Sequence, residues 1–349
     1  MSAAAAPGDA VRPGPRNLIT DVAGILVGNA EAPAYSSGTT VVLPQAPAIA
    51  AVDVSGGAPG TRETEVLGMG ALNEIAHAVV LSGGSAYGLD AAGGTMAWLR
   101  DRRRGLSLGP HLIPIVPAAI IFDLPAGADP SAAGAPLPYR DLGWQAAAAA
   151  GETFMLGNAG VGIGATTADV KGGLGSASAV WQSPDGPVTV GAIAAVNPVG
   201  SPLLPGTRTF LAAPFEIAGE FGGCALPQVA PGPQIVPSKR NARLGANTVI
   251  AVVATDATLT KPLAHRLAVM AQAGIAKAVH PSHTPFDGDT VFALATGRGP
   301  ALDIDRLYML GGIAQACMAR AIARGVHAAP TGLPGFPAWR DLPLAGAAR

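Results

Sequence analysis

The sequence has few charged residues, few aromatic residues and almost no cysteine. Of its 349 residues, 13% are charged and 5% are aromatic, and the formal net charge is −1. A chain this close to neutral lacks the charge excess that binds nucleic acid or an acidic membrane surface, so we expect neither partner. With 49% hydrophobic residues and few charges to cover a surface, the composition predicts extensive contacts between subunits.

Other absences narrow the class further. Two cysteines, Cys224 and Cys317, do not make a disulfide framework and lack zinc-ligand spacing. The first sixteen residues, MSAAAAPGDAVRPGPR, lack the continuous apolar stretch of a signal peptide. No uninterrupted apolar run of about 18 residues suggests a membrane span. We therefore expect a cytoplasmic location by default.

Small apolar residues and glycine dominate what is present, in short runs that alternate with turns. We expect one domain over residues 17–327, between a disordered tail at 1–16 and a second tail at 328–349. Predicted strands lie at 24–30, 38–44, 48–54, 188–197, 248–254 and within 287–297; predicted helices lie at 65–80, within 82–105, and at 142–151, 259–279 and 303–324. Residues 157–178 are too glycine-rich for regular structure and predict a loop. The mixture favours an α/β fold of layered sheets covered by helices.

The stretch LGANTVIAVVATDA, residues 244–257, places Thr248 at the mouth of an unbroken apolar run. Such a run, without polar alternation, predicts a strand that is buried on both faces. Thr248 has two interpretations here. It is either a β-branched residue that suits a strand, or a nucleophile held at a strand end in the core.

The stretch HTPFDGDTVFAL places Asp287 and Asp289 on either side of a glycine, just before a predicted strand. An Asp-Gly turn is one interpretation. The other is a carboxylate pair that orients a base or an amine, since close carboxylates shift each other's pKa. His280 and His283 could join them as metal ligands, but Pro281 interrupts the helical spacing that a zinc motif needs, so we expect no metal.

Three further positions carry open interpretations. GGSAYG is not a serine-hydrolase elbow, because Tyr87 stands where the second glycine should be, and no P-loop follows; no cofactor is expected. Asn197, before Pro198, is either a strand terminus or an amide that donates to an oxyanion. Lys171 is either a surface side chain that snorkels or a charge aimed at a site.

Taken together, these segments resemble the self-processing L-aminopeptidase/D-amidase-esterase family, which includes β-peptidyl aminopeptidases and the endo-type 6-aminohexanoate-oligomer (nylon-oligomer) hydrolase. The resemblance runs from about Asn17 to Gly325, and its most specific pieces are LSGGSAYGLDAAGG, AAVNPVG, GANTVIAVVATDA and HTPFDGDTVFA. It implies a four-layer α/β/β/α sandwich of the aminopeptidase/ornithine-acetyltransferase type, assembled as a homotetramer of processed protomers.

The resemblance also implies roles for individual residues. The precursor would cut itself between Asn247 and Thr248 into chains 1–247 and 248–349, and Thr248 would then be the N-terminal nucleophile. The nylon-oligomer branch supplies the other catalytic matches, which are Lys171, Asn197, Asp287 and Asp289.

Three residues are candidates for substrate binding: Tyr87, Phe122 and Asp123. Phe122 marks a departure from the branch, whose tyrosine falls at this position, so a hydroxyl is missing. The neighbouring Asp123 is our candidate to bind a substrate ammonium, since a carboxylate near an apolar strand needs a partner.

We therefore expect an autoprocessed amide hydrolase that acts on small peptides, β-peptides, amino-acid amides or nylon-type oligomers. Three alternatives stay open. The first is an aminopeptidase strictly specific for N-terminal residues. The second is an acyltransferase like the ornithine acetyltransferases, and the third is an uncleaved, non-catalytic binding protein.

Overall fold

A computed structural model describes residues 11–130, 132, 134, 136–226 and 247–343. The strands in these ranges are β1 Val11–Arg12, β2 Ile25–Ala32, β3 Ser37–Pro44, β4 Ala48–Val54, β5 Thr61–Arg62, β6 Ile75–Ala76, β7 Val79–Ser82, β8 Leu106–Leu108, β9 His111–Ile113, β10 Ala118–Ile120, β11 Gly173–Ser183, β12 Gly186–Asn197, β13 Thr248–Thr255 and β14 Thr290–Ala295. The α-helices are α1 Ala91–Asp101, α2 Tyr139–Ala148, α3 Lys261–Ala278 and α4 Ile304–Ala328. In the described part of the chain, no helix is both long and apolar enough to cross a membrane.

Most strands belong to two sheets. The larger has seven strands in the order β1-β11-β12-β13-β14-β4-β6, and the smaller has five in the order β2-β3-β7-β10-β5. Neighbouring strands are antiparallel except for the pairs β13–β14 and β7–β10. The short strands β8 and β9 pair with each other.

Strand β13 shows how the layers stack. Its side chains alternate, so that Val249 and Ala251 pack in a core with α3 and α4, whereas Ile250 and Val252 pack between the two sheets. All four residues are fully buried. The unbroken apolar run therefore reflects a central strand that is covered on both faces, as its sequence predicts.

A third core completes the sandwich. On the outer face of the smaller sheet, Val41 and Val80 pack against Ala92 and Trp98 of α1 and against Leu142 of α2. The order is thus helices, sheet, sheet, helices, which confirms the α/β/β/α fold class.

The helix predicted over residues 65–80 is wrong. A short 3-10 turn covers Glu65–Leu67, and the segment then enters the two sheets as β6 and β7. Residues of β7 are buried between β3 and β10. A short apolar run of this kind fits a buried strand and a buried helix equally well by periodicity.

The glycine-rich region 157–178 is only partly a loop, because β11 begins at Gly173. Gly175 lies directly under α4, where an added Cβ would be 1.9 Å from the carbonyl oxygen of Ala321 and 2.4 Å from the nitrogen of Gly325. Glycine is needed here because a helix backbone approaches the strand backbone closely.

Both predicted tails contribute to the fold. Val11 and Arg12 form β1, which pairs with β11, so the predicted disorder of residues 1–16 does not hold for them; residues 1–10 lie outside the described residues. In the predicted C-terminal tail, Ala328 is still in α4, and Trp339 is buried against Phe210.

Candidate active site

Thr248 is the first residue of β13, at the end of the larger sheet where β12 finishes. In the antiparallel pairing of these strands, Thr248 lies opposite Asn197, the last residue of β12. Thr248 is 4% exposed. Its position at the strand end places the side chain beside the Asp287–Asp289 segment, which leads into β14.

The hydroxyl, a carbonyl oxygen and a backbone N–H meet at this point. Thr248 Oγ1 contacts the carbonyl oxygen of Asn247. The N–H of Gly288 donates to that oxygen and to Thr248 Oγ1, at 3.1 Å in each case. An added Cβ on Gly288 would lie 2.9 Å from Thr248 Oγ1 and 2.8 Å from the carbonyl oxygen of Ala58. The missing side chain at Gly288 therefore lets its N–H reach a position where it can stabilise negative charge on the Asn247 oxygen.

Asp289 anchors the residue that follows Thr248. Its Oδ1 accepts the backbone N–H of Val249 at 2.7 Å. Its Oδ2 accepts the backbone N–H of His283 at 2.9 Å and lies 2.8 Å from Nδ1 of the same histidine. This hydrogen bond raises the pKa of His283 against the opposing effect of partial burial.

Asp287 is held by a different set of donors. Its Oδ1 accepts the N–H of Val199 at 3.0 Å, and its Oδ2 accepts the N–H and the hydroxyl of Thr284 at 3.1 and 2.5 Å. Burial raises the pKa of Asp287, and the nearby charge of Asp289 raises it further. The two carboxylates are thus buried and each tied to its own donors, which goes beyond what an exposed Asp-Gly turn requires.

Asn197 joins the Thr248 region to two neighbouring segments. Its Oδ1 accepts the N–H of Thr166 at 2.9 Å, and its Nδ2 donates to the carbonyl oxygen of Phe122 at 3.2 Å. Phe122 thus contributes its backbone, and its ring is half-buried. An oxyanion role for the Asn197 amide stays a prediction.

Lys171 is fully buried, so the snorkelling interpretation is wrong. Its Nζ donates to the carbonyl oxygens of Gly162 and Gly172 at 2.7 and 3.2 Å. Burial lowers the pKa of Lys171 to about 7, and the charge of Asp123 opposes that shift. A lysine in this range can exchange a proton near neutral pH.

Asp123 forms a second buried group with Lys171. Its Oδ1 accepts the N–H of Gly84 at 2.7 Å, and an added Cβ on Gly83 would lie 2.0 Å from its Oδ2. The GGSAYG motif therefore wraps a carboxylate. Burial raises the pKa of Asp123 to about 6, while the hydrogen bond from Gly84 opposes the rise.

The structure brings most of the predicted site residues together. Asn197, Asn247, Asp287 and Asp289 surround Thr248, and the group of Lys171 and Asp123 is joined to them through the Asn197–Phe122 contact. Tyr87 stands apart. It is 39% exposed on the 3-10 turn Ser85–Asp90, and no hydrogen bond of the described residues ties its side chain to either group.

Sequence reasoning missed several partners. The sequence offers His283 only as a candidate metal ligand, yet it contacts Asp289. Among the described residues, no cluster of three or more His, Cys, Asp or Glu could hold a metal. Thr284 is not among the residues predicted from sequence, although a threonine three residues before an aspartate is a local turn signal. Ser37 and Tyr139 lie beside Gly83 and Gly84 from distant parts of the chain, which no spacing could reveal.

Comparison with known proteins identifies relatives along nearly the whole chain. The model of peptidase family S58 matches residues 17–335. An uncharacterized aminopeptidase of Mycobacterium tuberculosis is 41% identical over 348 residues, covering 93% of this chain and 98% of its own. A 6-aminohexanoate-oligomer endohydrolase of a Kocuria species is 28% identical over 296 residues, covering 81% and 76%.

The fold is shared with a solved structure. The L-aminopeptidase D-Ala-esterase/amidase of Ochrobactrum anthropi, described as a variant of the Ntn-hydrolase fold, aligns over 94% of this chain and 92% of its own. Its TM-score is 0.69 at 23% identity. The family match and the arrangement around Thr248 lead to one conclusion: this chain belongs to peptidase family S58 and is a hydrolase of amide bonds.

Proposed function

We propose that this chain is an N-terminal-threonine amide hydrolase that matures by cutting its own Asn247–Thr248 bond. The observation that carries the proposal is the meeting of the Thr248 hydroxyl, the Asn247 carbonyl oxygen and the Gly288 N–H in a buried site. A nucleophile beside a carbonyl whose oxygen already accepts a backbone N–H is arranged for acyl transfer.

The maturation step would form and break one bond at a time. Thr248 Oγ1 attacks the carbonyl carbon of Asn247, and the oxygen that becomes negative faces the N–H of Gly288. The carbon–nitrogen bond then breaks, the nitrogen takes up the proton that the hydroxyl gave up, and Asn247 is left as an ester on Thr248 Oγ1. Water hydrolyses this ester, which releases a carboxylate and restores the hydroxyl.

The same residue would then act on substrates. The freed α-amino group of Thr248, with a pKa near 8, serves as the base for its own hydroxyl. Asp289 holds the N–H of Val249, the residue after Thr248, and we propose that this contact orients the freed amino group. We propose Asn197 as a further oxyanion donor, Lys171 as a catalytic amine that exchanges a proton near neutral pH, and Asp123 as the ligand of a substrate ammonium.

The names of the relatives indicate the substrate class. A relative at 41% identity is called an aminopeptidase, and one at 28% cleaves 6-aminohexanoate oligomers. We propose small peptides, β-peptides, amino-acid amides and linear nylon-type oligomers as substrates.

Intact mass and N-terminal sequencing test the proposal. A self-cleaving nucleophile predicts two chains of about 24 and about 10 kDa in place of the 34.5 kDa precursor, the smaller beginning Thr-Val-Ile-Ala. A different N-terminus, or an active protein that stays intact, would contradict it. Oligomers with free and blocked amino ends then separate exo- from endo-cleavage, and an added amine acceptor reveals acyl transfer.

A further inference from the structure

Asn247, which precedes the proposed scissile bond, has a side chain that is buried and, in the described part of the chain, unpartnered. Its side chain is fully buried, and neither its amide nitrogen nor its amide oxygen has a hydrogen-bond partner among the described residues. A buried amide without partners is costly, so the position is not one that favours asparagine for its polarity. Among the described residues, the site holds a side chain of this shape without a hydrogen bond to its polar atoms.

From this we infer that the space around the Asn247 side chain is the subsite for the acyl residue of substrates in the mature enzyme, and that it accepts uncharged side chains of about the size and branching of asparagine or leucine. The inference rests on the proposed function. It follows from the identity of the two reactions, because Thr248 Oγ1 would carry Asn247 as an ester during maturation and the substrate's acyl residue as an ester during turnover.

The backbone segments that lie next to Asn247 can be named. Asn247 pairs with Asp287 in a parallel bridge, and its carbonyl oxygen accepts the N–H of Gly288. The loop of residues 55–60 closes on the same segment, since the N–H of Ala58 donates to the carbonyl oxygen of Asp287 at 2.8 Å. An added Cβ on Gly288 would lie 3.0 Å from Cα of Pro59. Pro59 is exposed, so the loop that closes on this segment borders solvent.

Cleavage supplies a reason for the subsite to empty. Hydrolysis of the ester turns Asn247 into a chain end with a carboxylate, in a place that is fully buried and borders the carboxylate pair of Asp287 and Asp289. An additional negative charge is disfavoured in such a place by desolvation and by repulsion. The new chain end therefore leaves, and the acyl residue of a substrate can take its place.

Two matched series of measurements test the inference. In the first, position 247 is changed by Asn247→Leu, Asn247→Asp, Asn247→Gly and Asn247→Trp, and the rate of self-cleavage is followed by mass. In the second, the processed wild-type enzyme hydrolyses the p-nitroanilides of Asn, Leu, Asp, Gly and Trp, and kcat/KM is measured. The second series uses wild-type protein throughout, so it stands even where a variant fails to fold.

The two series should rank the five side chains in the same order. Leucine has the branching of asparagine without its unpartnered amide, so it should process and turn over at least as well as asparagine. Aspartate should be slower by about 100-fold or more, because it places an unpaired charge in a buried site. Glycine and tryptophan should each lose about 10- to 200-fold, since the pocket is left empty or overfilled.

The outcomes separate this inference from the function on which it rests. If wild-type protein processes and hydrolyses amides but the two orders differ, or aspartate equals leucine in either series, the subsite assignment is wrong and the nucleophile assignment stands. If wild-type protein neither processes at Thr248 nor hydrolyses any of the five anilides, both fall together.

Discussion

The hydroxyl of Thr248 is the group on which the proposed chemistry depends. Thr248→Ala should give a folded, unprocessed precursor of 34.5 kDa without amidase activity, because no nucleophile remains. Thr248→Ser should still process, since the hydroxyl survives. Thr255→Ala is the matched control at the other end of β13, where the hydroxyl donates to the carbonyl oxygen of Thr189, and it should process normally. Processing by Thr248→Ala, seen as two bands on a denaturing gel, would remove Thr248 from the mechanism.

The carboxylates of Asp287 and Asp289 allow a test of charge at constant shape. Asp289→Asn keeps an acceptor for the N–H of Val249 but loses the negative charge beside the Thr248–Val249 peptide. We expect Asp287→Asn and Asp289→Asn to fold and to lose about 100- to 10,000-fold in the rate of processing, of hydrolysis, or of both. The exposed Asp141, changed to Asn, is the control and should keep wild-type rates. Wild-type rates in both Asp287→Asn and Asp289→Asn would contradict the catalytic role of the carboxylate pair and leave this segment as a structural turn.

The buried amine of Lys171 predicts how stability changes with pH. Its pKa is about 7 in the folded protein and 10.5 as the ordinary value, so between these pH values the unfolded chain holds a proton that the folded chain lacks. Stability should therefore rise as the pH increases from 7 toward 10, and that rise should be absent in Lys171→Met. Urea unfolding at pH 7, 8 and 9, in the uncleaved Thr248→Ala background, measures it. If the free energies of unfolding with and without Lys171→Met differ by the same amount at every pH, the carbonyls of Gly162 and Gly172 keep the Lys171 ammonium charged.

Sequence patterns located the site residues better than their partners. Thr248, Asp287 and Asp289 stand at strand ends within short, distinctive stretches, which is why they could be chosen. Their partners depend on the fold, since His283 reaches Asp289 through a left-handed backbone with φ of 54°. In the Asp123 group, Tyr139 of α2 likewise reaches Gly84 from a distant part of the chain. Such contacts carry no spacing signal in a single sequence.

At the scale of elements, a high glycine content predicts a loop in a place where a helix and a strand pack closely. The glycines of 157–178 indicated a loop, yet those from Gly173 onward lie in β11 beneath α4. In the same way, the apolar positions of 65–80 match the spacing of a helix, but this segment contains β6 and β7. Both errors have one cause, since local pattern cannot show which backbone will lie against a segment.

The contact between β11 and α4 can be tested by adding one methyl group. Gly175→Ala would place its Cβ 1.9 Å from the carbonyl oxygen of Ala321, so α4 must shift away from the sheet. We expect a loss of about 1–3 kcal/mol in the free energy of unfolding, the typical cost of overpacking a core. Thermal unfolding of the variant in the uncleaved Thr248→Ala background measures this loss. Gly312→Ala, in α4, is the control, because its Cβ would meet no atom within 4 Å. A melting temperature of Gly175→Ala equal to that of the uncleaved background would contradict the packing argument.

At the scale of the whole molecule, the proposed cut would run through the centre of the larger sheet. Strands β13 and β14 belong to the small chain, and they lie between β12 and β4 of the large chain. The two chains should therefore stay together in native conditions and separate only on denaturation. The homotetramer of such protomers stays a prediction, which native mass spectrometry would test.

A buried ion pair also joins the two proposed chains. Arg320 of α4 donates from Nε to Glu220 at 2.5 Å and from its terminal nitrogens to Ser178 and Asn17 at 3.0 and 2.8 Å. Arg320→Met would leave the Glu220 carboxylate without its main partner and should lower stability by about 3–5 kcal/mol. The double variant with Glu220→Gln should recover part of that loss in urea unfolding. A double variant no more stable than Arg320→Met would show that the guanidinium matters for packing rather than for charge.

The central position of β13 and β14 has a consequence for the life of the molecule. The sheet is assembled while its strands are covalently connected, and the connection would then be removed from a structure that no longer needs it. After cleavage, refolding would require the association of two separate polypeptides, and its yield would depend on their concentration. The mature enzyme would thus stay folded but refold poorly once unfolded, so that unfolding in the cell would be effectively irreversible.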